Sequence, residues 1–190
     1  MKSVEIIGYK RANLGKADAK ALRLESLVPC VLYGTGEQIH FSVPMILFRE
    51  LAYSPVAYLA DLNIEGKKYR AILQDVQFHA VNDMLMHADF LALQDDKPVR
   101  TEIPVKLEGT AVGVTKGGKL TPKLRKLKIE ALPANLPDFI SVDITDLDLG
   151  KTIKVSAVKP ENYKILNVGA VPLVSIEIPR ALKTAQKEGK

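Results

Sequence analysis

Residues 58–79 have the sequence YLADLNIEGKKYRAILQDVQFH, in which two strand-like runs flank a glycine-containing turn. The runs are Tyr58–Ile64 and Lys68–His79, and Glu65-Gly66-Lys67 between them is typical of a β-hairpin. Further strand-like runs lie outside this pair, at Val4–Ile7, Cys30–Tyr33, Ile39–Val43 and Met84–Leu93. The pattern therefore predicts an N-terminal region that is mainly β.

Two short helices are predicted to connect these strands. Lys16–Leu24 is rich in Ala, Leu, Lys and Arg, which are residues that favour helix. Met45–Ala52 follows Pro44, and proline is tolerated in the first turn of a helix. Neither segment is long enough to change the expected fold class.

The chain is expected to divide at the polar, turn-prone segment Gln94–Pro98. Strand-like runs continue beyond it from Val99–Leu107 to Val171–Ile178, and Lys116-Gly117-Gly118-Lys119 is expected to form a hairpin tip. We therefore predict an N-terminal domain at residues 1–95 and a mainly β C-terminal domain at 96–182. A disordered polar tail is expected at 183–190.

Composition excludes several classes of protein. The 190 residues are 47% hydrophobic and 26% charged, as in ordinary globular proteins. The apolar runs are shorter than the ~18 residues that span a bilayer, and Met1–Glu5 lacks the pattern of a secretory signal. The single cysteine, Cys30, excludes an intramolecular disulfide and a multi-cysteine metal site. These features predict a soluble cytoplasmic protein without membrane contact.

Positive charge is concentrated in two parts of the chain. Residues 96–190 contain 17 Lys and Arg against 11 Asp and Glu, whereas residues 1–95 contain 10 against 11. Within the first half, residues 10–23 nevertheless carry five cations against Asp18 alone. Such clusters attract polyanions, although most charged runs are only solvated surfaces.

Lys16, Lys20 and Arg23 share one face of the first predicted helix, because positions i, i+4 and i+7 lie within roughly 60° of arc. Three aligned cations can bind a row of phosphates, and Arg11 lies just upstream of them. The alternative is that they form only a solvated helix face. An apolar stripe with the same spacing, expected to dock on a sheet, is formed by Ala17, Ala21 and Leu24.

Two strand segments place polar side chains on one face and apolar side chains on the other. The polar residues are Asp75, Gln77 and His79 in one segment and His87 and Asp89 in the other. The apolar residues, expected in the core, are Val76, Phe78, Ala88 and Phe90. Amide, imidazole and carboxylate groups suit base edges and 2′-hydroxyls, and Tyr33 adds a stacking or hydroxyl contact. The alternative is that the Asp and His side chains only satisfy each other.

Evidence for catalysis or a metal is weak. Two His and one Asp without a further clear ligand are a weak signal for a metal site, and Cys30 within an apolar run is expected to be a buried, inert thiol. The sequence contains no nucleophile elbow, phosphate-binding loop or dinucleotide glycine motif. We therefore predict a protein that is not an enzyme and carries no cofactor.

Taken in order, these motifs resemble a known family. The residues that carry the resemblance are Arg11, Gly15-Lys16, Lys20, Leu22-Arg23, Val28-Pro29, Tyr33-Gly34, Asp75–His79 and His87–Phe90. This order resembles the L-twenty-five family of bacterial large-subunit ribosomal proteins. The second half resembles its two-domain form, the general stress protein CTC type, at Ile103-Pro104-Val105, Gly117-Gly118, Leu132-Pro133, Leu136-Pro137, Asp143–Leu147 and Gly150.

The resemblance implies an N-terminal β-barrel that binds 5S ribosomal RNA. It implies phosphate or sugar contacts by Arg11, Lys16, Lys20 and Arg23. It also implies a surface that reads the RNA minor groove, formed by Tyr33, Gln77, His79, His87 and Asp89. A flat polar strand face suits this role, because the RNA minor groove is wide and shallow.

The expected function is thus a structural component of the large ribosomal subunit, associated with the ribosome in the cytoplasm and monomeric away from it. The C-terminal domain is expected to contact neighbouring subunit RNA and proteins. The alternative is a free stress-related or transfer-RNA-binding module, since a related barrel binds anticodons in a synthetase.

Overall fold

The computed structural model describes residues 1–179, and residues 180–190, which include the predicted tail, lie outside the described residues. The chain divides into two compact units. The first is Met1–Thr101 together with Leu132–Asp138, and the second is Glu102–Ala131 together with the chain from Phe139 onward. Both units are built mainly of strands, which confirms the predicted fold class. The domain boundary after residue 95 stays a prediction.

Six strands of the first unit close into a barrel. They are β1 (Lys2–Lys10), β2 (Leu27–Tyr33), β3 (Ile39–Pro44), β4 (Tyr58–Ile64), β5 (Lys67–Phe78) and β6 (Leu85–Ala92). Their order around the barrel is β1-β3-β2-β6-β5-β4, and a parallel pairing of β1 with β4 closes the ring. Strands β2 and β6 are also parallel, whereas the other neighbours are antiparallel. Closure removes the free edges that an open sheet would expose.

Alternating residues of these strands fill the barrel interior. Phe41, Phe90 and Leu62 are among the fully buried side chains, and the Phe90 ring centroid lies 5.8 Å from that of Phe41. Burying each such side chain contributes about 1.5–3 kcal/mol, so the alternation is strongly enforced. Ala88 and Phe90 lie in this core, as predicted. The intervening residues of β6 face outward, and this fixes the direction of His87 and Asp89.

The hairpin predicted from residues 58–79 is formed by β4 and β5. Ile64 pairs with Lys67 across a two-residue turn in which Glu65 and Gly66 have φ values of 49° and 86°. Positive φ at both positions is the geometry of a type I′ turn, which glycine adopts without strain. The Gly66 amide also donates to the side-chain oxygen of Asn63 at 3.1 Å.

Both predicted helices of the first unit are present. Helix α1 spans Lys16–Leu24, the predicted range. The second begins as a 3-10 turn at Met45–Phe48 and continues as α2 (Arg49–Tyr53). Among residues 1–179, no helix has the length and apolar content needed to cross a membrane.

The described residues of the second unit form two small sheets, a short α-helix and a 3-10 turn at Val155–Ala157. Its elements are α3 (Val112–Thr115), β8 (Lys119–Pro122), β9 (Lys126–Ala131), β10 (Ile140–Asp143), β11 (Thr152–Lys154), β12 (Lys164–Ile165), β13 (Pro172–Glu177) and most of β7 (Val99–Glu108), whose first three residues belong to the first unit. One sheet has the order β10-β7-β9-β12 and the other has the order β11-β13-β8. Buried aliphatic side chains such as Ile103, Leu127, Ile129 and Leu173 form its apolar interior.

The predicted hairpin tip at residues 116–119 is wrong. Gly117 and Gly118 follow α3, and β8 then pairs antiparallel with the distant strand β13. A Cβ atom on Gly118 would lie 2.6 Å from a side-chain carbon of Leu149 and would also meet Ile176. This glycine is therefore explained by close packing under α3 and not by a hairpin turn.

Candidate nucleic-acid interface

Helix α1 is fastened at its start by an ion pair. The guanidinium of Arg11, one residue beyond β1, lies 2.6 Å (Nη2) and 3.2 Å (Nε) from Oδ2 of Asp18 in the first turn of α1. The Arg11 side chain is 9% exposed. Its backbone amide also donates to the carbonyl oxygen of His40 on β3 at 3.0 Å. Arg11 therefore joins β1, β3 and α1, and its charge is largely neutralised within the fold.

The predicted row of three cations on α1 is divided by the structure. Lys16 and Lys20 are exposed, and neither forms an ion pair within residues 1–179. Arg23 is half-buried, and its Nε donates to the carbonyl oxygen of Met86 on β6 at 3.0 Å. Two lysines thus remain available to a ligand, while the arginine binds the helix to the barrel wall.

The predicted docking face of α1 is wrong. Ala17, Ala21 and Leu24 are exposed, with Leu24 79% exposed, whereas Ala19 and Leu22 are the half-buried apolar residues. The contacts of Arg11 with Asp18 and of Arg23 with β6 rotate the helix so that this other side packs on β2. The spacing correctly predicted which residues share a face, but not which face is buried.

Strand pairing brings the predicted polar residues of the barrel together on one outer surface. Gln77 of β5 pairs with His87 of β6, and Asp75 pairs with Asp89 in the next outward-facing row. Asp89 in turn pairs with Val31 of β2, two residues before Tyr33. We call this outer face of β2, β5 and β6 the polar strand face.

Two acidic side chains shape the electrostatics of the polar strand face. Nδ1 of His87 lies 2.7 Å from Oδ1 of Asp89, and both side chains are about one-third exposed (31% and 34%). Apart from this contact, the buried Oδ1 atom of Asp89 has no hydrogen-bond partner among residues 1–179. Burial and the negative charges of Asp89 and Asp75 raise the pKa of the Tyr33 phenol above its ordinary value. The Tyr33 hydroxyl is therefore a hydrogen-bond donor at neutral pH.

The sequence predicts that His79 lies on the strand, but it lies one residue beyond the end of β5. Its amide donates to the carbonyl oxygen of Met84 at 2.8 Å, and its Nδ1 accepts from the Val81 amide at 3.3 Å. Phe78 was predicted to be core but is 42% exposed, and its ring packs edge-on against Tyr53 at 5.6 Å. The alternation fails here because the pairing of β5 with β6 shifts register between Gln77 and Phe78, the last residue of the strand.

Sequence reasoning missed His40. It lies on β3 opposite Val31, so it continues the row that contains Asp89 and Asp75. The alternation in Ile39–Val43 indicated that His40 and Ser42 share a face, but only the pairing of β3 with β2 places His40 beside the other polar residues.

The structure shows no arrangement for metal or thiol chemistry in its described part. Residues 1–179 contain no group of three His, Cys, Asp or Glu side chains placed to hold a metal ion. Cys30 is buried, as predicted, and burial together with the charge of Asp89 raises the pKa of its thiol, which disfavours the reactive thiolate.

These features define a two-unit, mainly β protein in which a closed barrel carries a lysine-bearing helix beside a polar strand face. The chain belongs to the Ribosomal L25p family, whose model matches residues 6–90. A second family model, described as ribosomal protein TL5, C-terminal domain, matches residues 98–180. This family consists of structural ribosomal proteins and not of enzymes, which confirms the prediction that the chain is not an enzyme.

Curated relatives agree over nearly the whole length of the chain. A protein of Cytophaga hutchinsonii is 55% identical over 183 residues, covering 96% of this chain and 95% of the relative. One from Amoebophilus asiaticus is 50% identical and covers 100% and 98%, and one from Phocaeicola vulgatus is 44% identical and covers 97% of each. All three relatives are named large ribosomal subunit protein bL25.

Proposed function

We propose that this chain is a structural component of the large ribosomal subunit and binds 5S ribosomal RNA through α1 and the polar strand face. The observation that carries the proposal is the strand register, which places Asp89, His87 and Gln77 in adjacent outward rows. Arg23 connects α1 to β6 one residue before His87, so the cationic helix adjoins this face. Its relatives' name supports the assignment to the large subunit.

The two parts of the surface have different proposed roles. Lys16 and Lys20 neutralise RNA phosphates, because they are exposed and free of ion pairs within residues 1–179. Tyr33 and the residues of the polar strand face contact sugar hydroxyls and base edges in the minor groove. Arg23 keeps further N–H groups for a sugar or phosphate. For Arg11 we propose a positioning role, because its guanidinium is paired with Asp18.

The second unit has fewer free cations than its sequence suggests. Lys116 pairs with Asp148 at 2.9 Å, Lys123 with Glu177 at 2.8 Å, and Lys128 lies 3.8 Å from Glu102. We propose that residues 96–182 form a domain that contacts neighbouring subunit RNA or proteins, and that the barrel domain at 1–95 carries the 5S contact. The protein is then ribosome-associated in the cytoplasm and monomeric when free.

Equilibrium binding of the intact chain to transcribed 5S ribosomal RNA tests this function. A bulk transfer RNA of similar charge density and a scrambled 5S sequence serve as competitors. We expect 5S binding to be at least about 1,000-fold tighter, within the range of specific over non-specific nucleic-acid binding. Equal affinity for all three RNAs contradicts the proposal, and tighter binding of transfer RNA favours the free transfer-RNA-binding module.

Sedimentation of a cell lysate provides the second test. Co-migration of the chain with large ribosomal subunits at moderate salt supports assembly into the subunit. Recovery only in the soluble fraction contradicts it, whatever the affinity of the isolated chain for 5S RNA.

A further inference from the structure

His40 is the outermost member of a row that crosses four strands of the barrel. It pairs with Val31 of β2, Val31 pairs with Asp89 of β6, and Asp89 pairs with Asp75 of β5. Paired residues on neighbouring strands point to the same side of a sheet. The side chain of His40 therefore points outward from the barrel, as the two carboxylates do.

The row runs halfway around the six-stranded barrel, and His40 lies two strands from Asp89 and three from Asp75. Neighbouring strands lie about 4.8 Å apart, so three spacings separate His40 from Asp75 by about 14 Å along the row. The predicted groove-reading residues lie on β2 and β6 and on or just beyond β5. His40 extends the surface onto β3, on the side where β1 leads into α1.

The imidazole of His40 has unused hydrogen-bonding capacity. It is half-buried, and within residues 1–179 it makes no side-chain hydrogen bond or ion pair. Its outward neighbour Ser42, by contrast, is 5% exposed and donates to the Tyr9 carbonyl oxygen at 3.4 Å. A neutral imidazole carries one donor and one acceptor, which match the donor and acceptor of a 2′-hydroxyl.

The backbone of His40 is bonded to Arg11, which lies between β1 and α1. Its carbonyl oxygen accepts the Arg11 amide, and the Arg11 side chain is paired with Asp18 of the helix. The imidazole thus lies at the junction between the cationic helix and the polar strand face.

We propose that His40 is a further RNA-contacting residue, whose imidazole binds a ribose 2′-hydroxyl at the β3 side of the minor groove. The inference rests on the proposed 5S function and adds a residue and a chemical contact to it. Because the contact is to a sugar and not to a phosphate, it makes affinity sensitive to the 2′-hydroxyl and leaves the salt dependence unchanged.

The test compares His40→Ala and His40→Gln with the wild-type chain, using 5S RNA into which 2′-deoxynucleotides are incorporated at random. At pH 8 we expect His40→Ala to bind unmodified 5S RNA about tenfold more weakly, as for the loss of one hydrogen bond in a formed interface. The salt slope and thermal unfolding midpoint stay at their wild-type values. Deoxy substitution at one or two nucleotides should weaken binding of the wild-type chain but not binding of His40→Ala. His40→Gln should bind unmodified 5S RNA with most of the wild-type affinity. Ser3→Ala, an exposed change on the outer wall of β1, is the control and binds like wild type.

Three results overturn the proposal. If His40→Ala binds 5S RNA with an affinity within twofold of wild type, the imidazole does not contact the RNA. Weaker binding with every deoxy-sensitive nucleotide unchanged shows a structural role only. In both cases the wild-type chain still prefers 5S RNA, so the proposed function stands. If the wild-type chain itself shows no preference for 5S over transfer RNA, the proposed function and the role of His40 fail together.

Discussion

The exposed lysines of α1 give the sharpest test of how the proposed surface attracts RNA. In Lys16→Ala/Lys20→Ala two cations without ion pairs in the described chain are removed from a solvent-facing helix. Each neutralised phosphate contributes about 0.9 to the slope of log affinity against log salt concentration, so the variant should lose about 1.8. This corresponds to about 200-fold weaker binding at 50 mM salt and about 20-fold at 200 mM.

The assay is fluorescence anisotropy with labelled 5S RNA over 50–200 mM salt. Lys67→Ala/Lys68→Ala is a matched control, because it removes the same charge from exposed positions at the start of β5. The control should keep the wild-type slope to within about 0.4, since long-range effects of net charge are screened beyond about 10 Å. Both variants should have the same urea midpoint of unfolding as the wild-type chain, because exposed Lys→Ala changes shift the free energy of unfolding by less than about 0.5 kcal/mol.

Two results would refute this reasoning. An unchanged slope in the α1 variant means that the helix does not contact the RNA backbone. An equal loss of slope in the control means that the lysines act only through the net charge of the chain.

Four further predictions concern the barrel face and the stability of both units. Asp89→Asn should lower the preference for 5S over transfer RNA by about 1–3 kcal/mol, because a charged acceptor for base amino groups is lost. The same variant should bind unrelated RNA more tightly, and competition titrations measure both effects. Asp18→Ala leaves the nearly buried Arg11 charge unpaired and should lower the free energy of urea unfolding by about 1–3 kcal/mol. A decrease below about 0.5 kcal/mol, the size expected for an exposed surface change, would show that the ion pair does not stabilise the attachment of α1. Gly118→Ala forces a Cβ atom into packed side chains and should destabilise the second unit by about 1–3 kcal/mol, which calorimetry would contradict by showing an unshifted transition. Cys30 should resist alkylation in the folded protein even at pH 9, because burial and its raised pKa disfavour the thiolate, and should react at the rate of unfolding; rapid native-state labelling contradicts this.

The strands and the first helix were predictable because their signals are local. The type I′ turn at Glu65-Gly66 and the helix at Lys16–Leu24 depend on residues that are neighbours in sequence. The predicted hairpin at Gly117-Gly118 used the same kind of signal and was wrong. There the glycines serve contacts with Leu149 and β13, which are remote in sequence and leave no local pattern.

The composition of the candidate surface was only partly predictable for the same reason. Alternation placed His87 and Asp89 on one face of β6, and the barrel confirms their outward direction. His40 could not be assigned to that face without the register of β3 on β2. The rotation of α1 likewise depends on Arg11 and Arg23, whose partners lie on other elements.

The charge distribution of the surface argues for a division of labour between its two parts. Asp75 and Asp89 are cross-strand partners of like charge, an arrangement that is destabilising by itself. Carboxylates also repel phosphates, so the polar strand face contributes little to non-specific attraction, and that attraction has to come from Lys16 and Lys20. The carboxylates can nevertheless accept from base amino groups on the floor of a minor groove. An RNA that offers only its backbone is therefore repelled at the strands, whereas one that presents its groove there is bound by both parts at once, and this difference is the physical basis for selectivity in the proposed function.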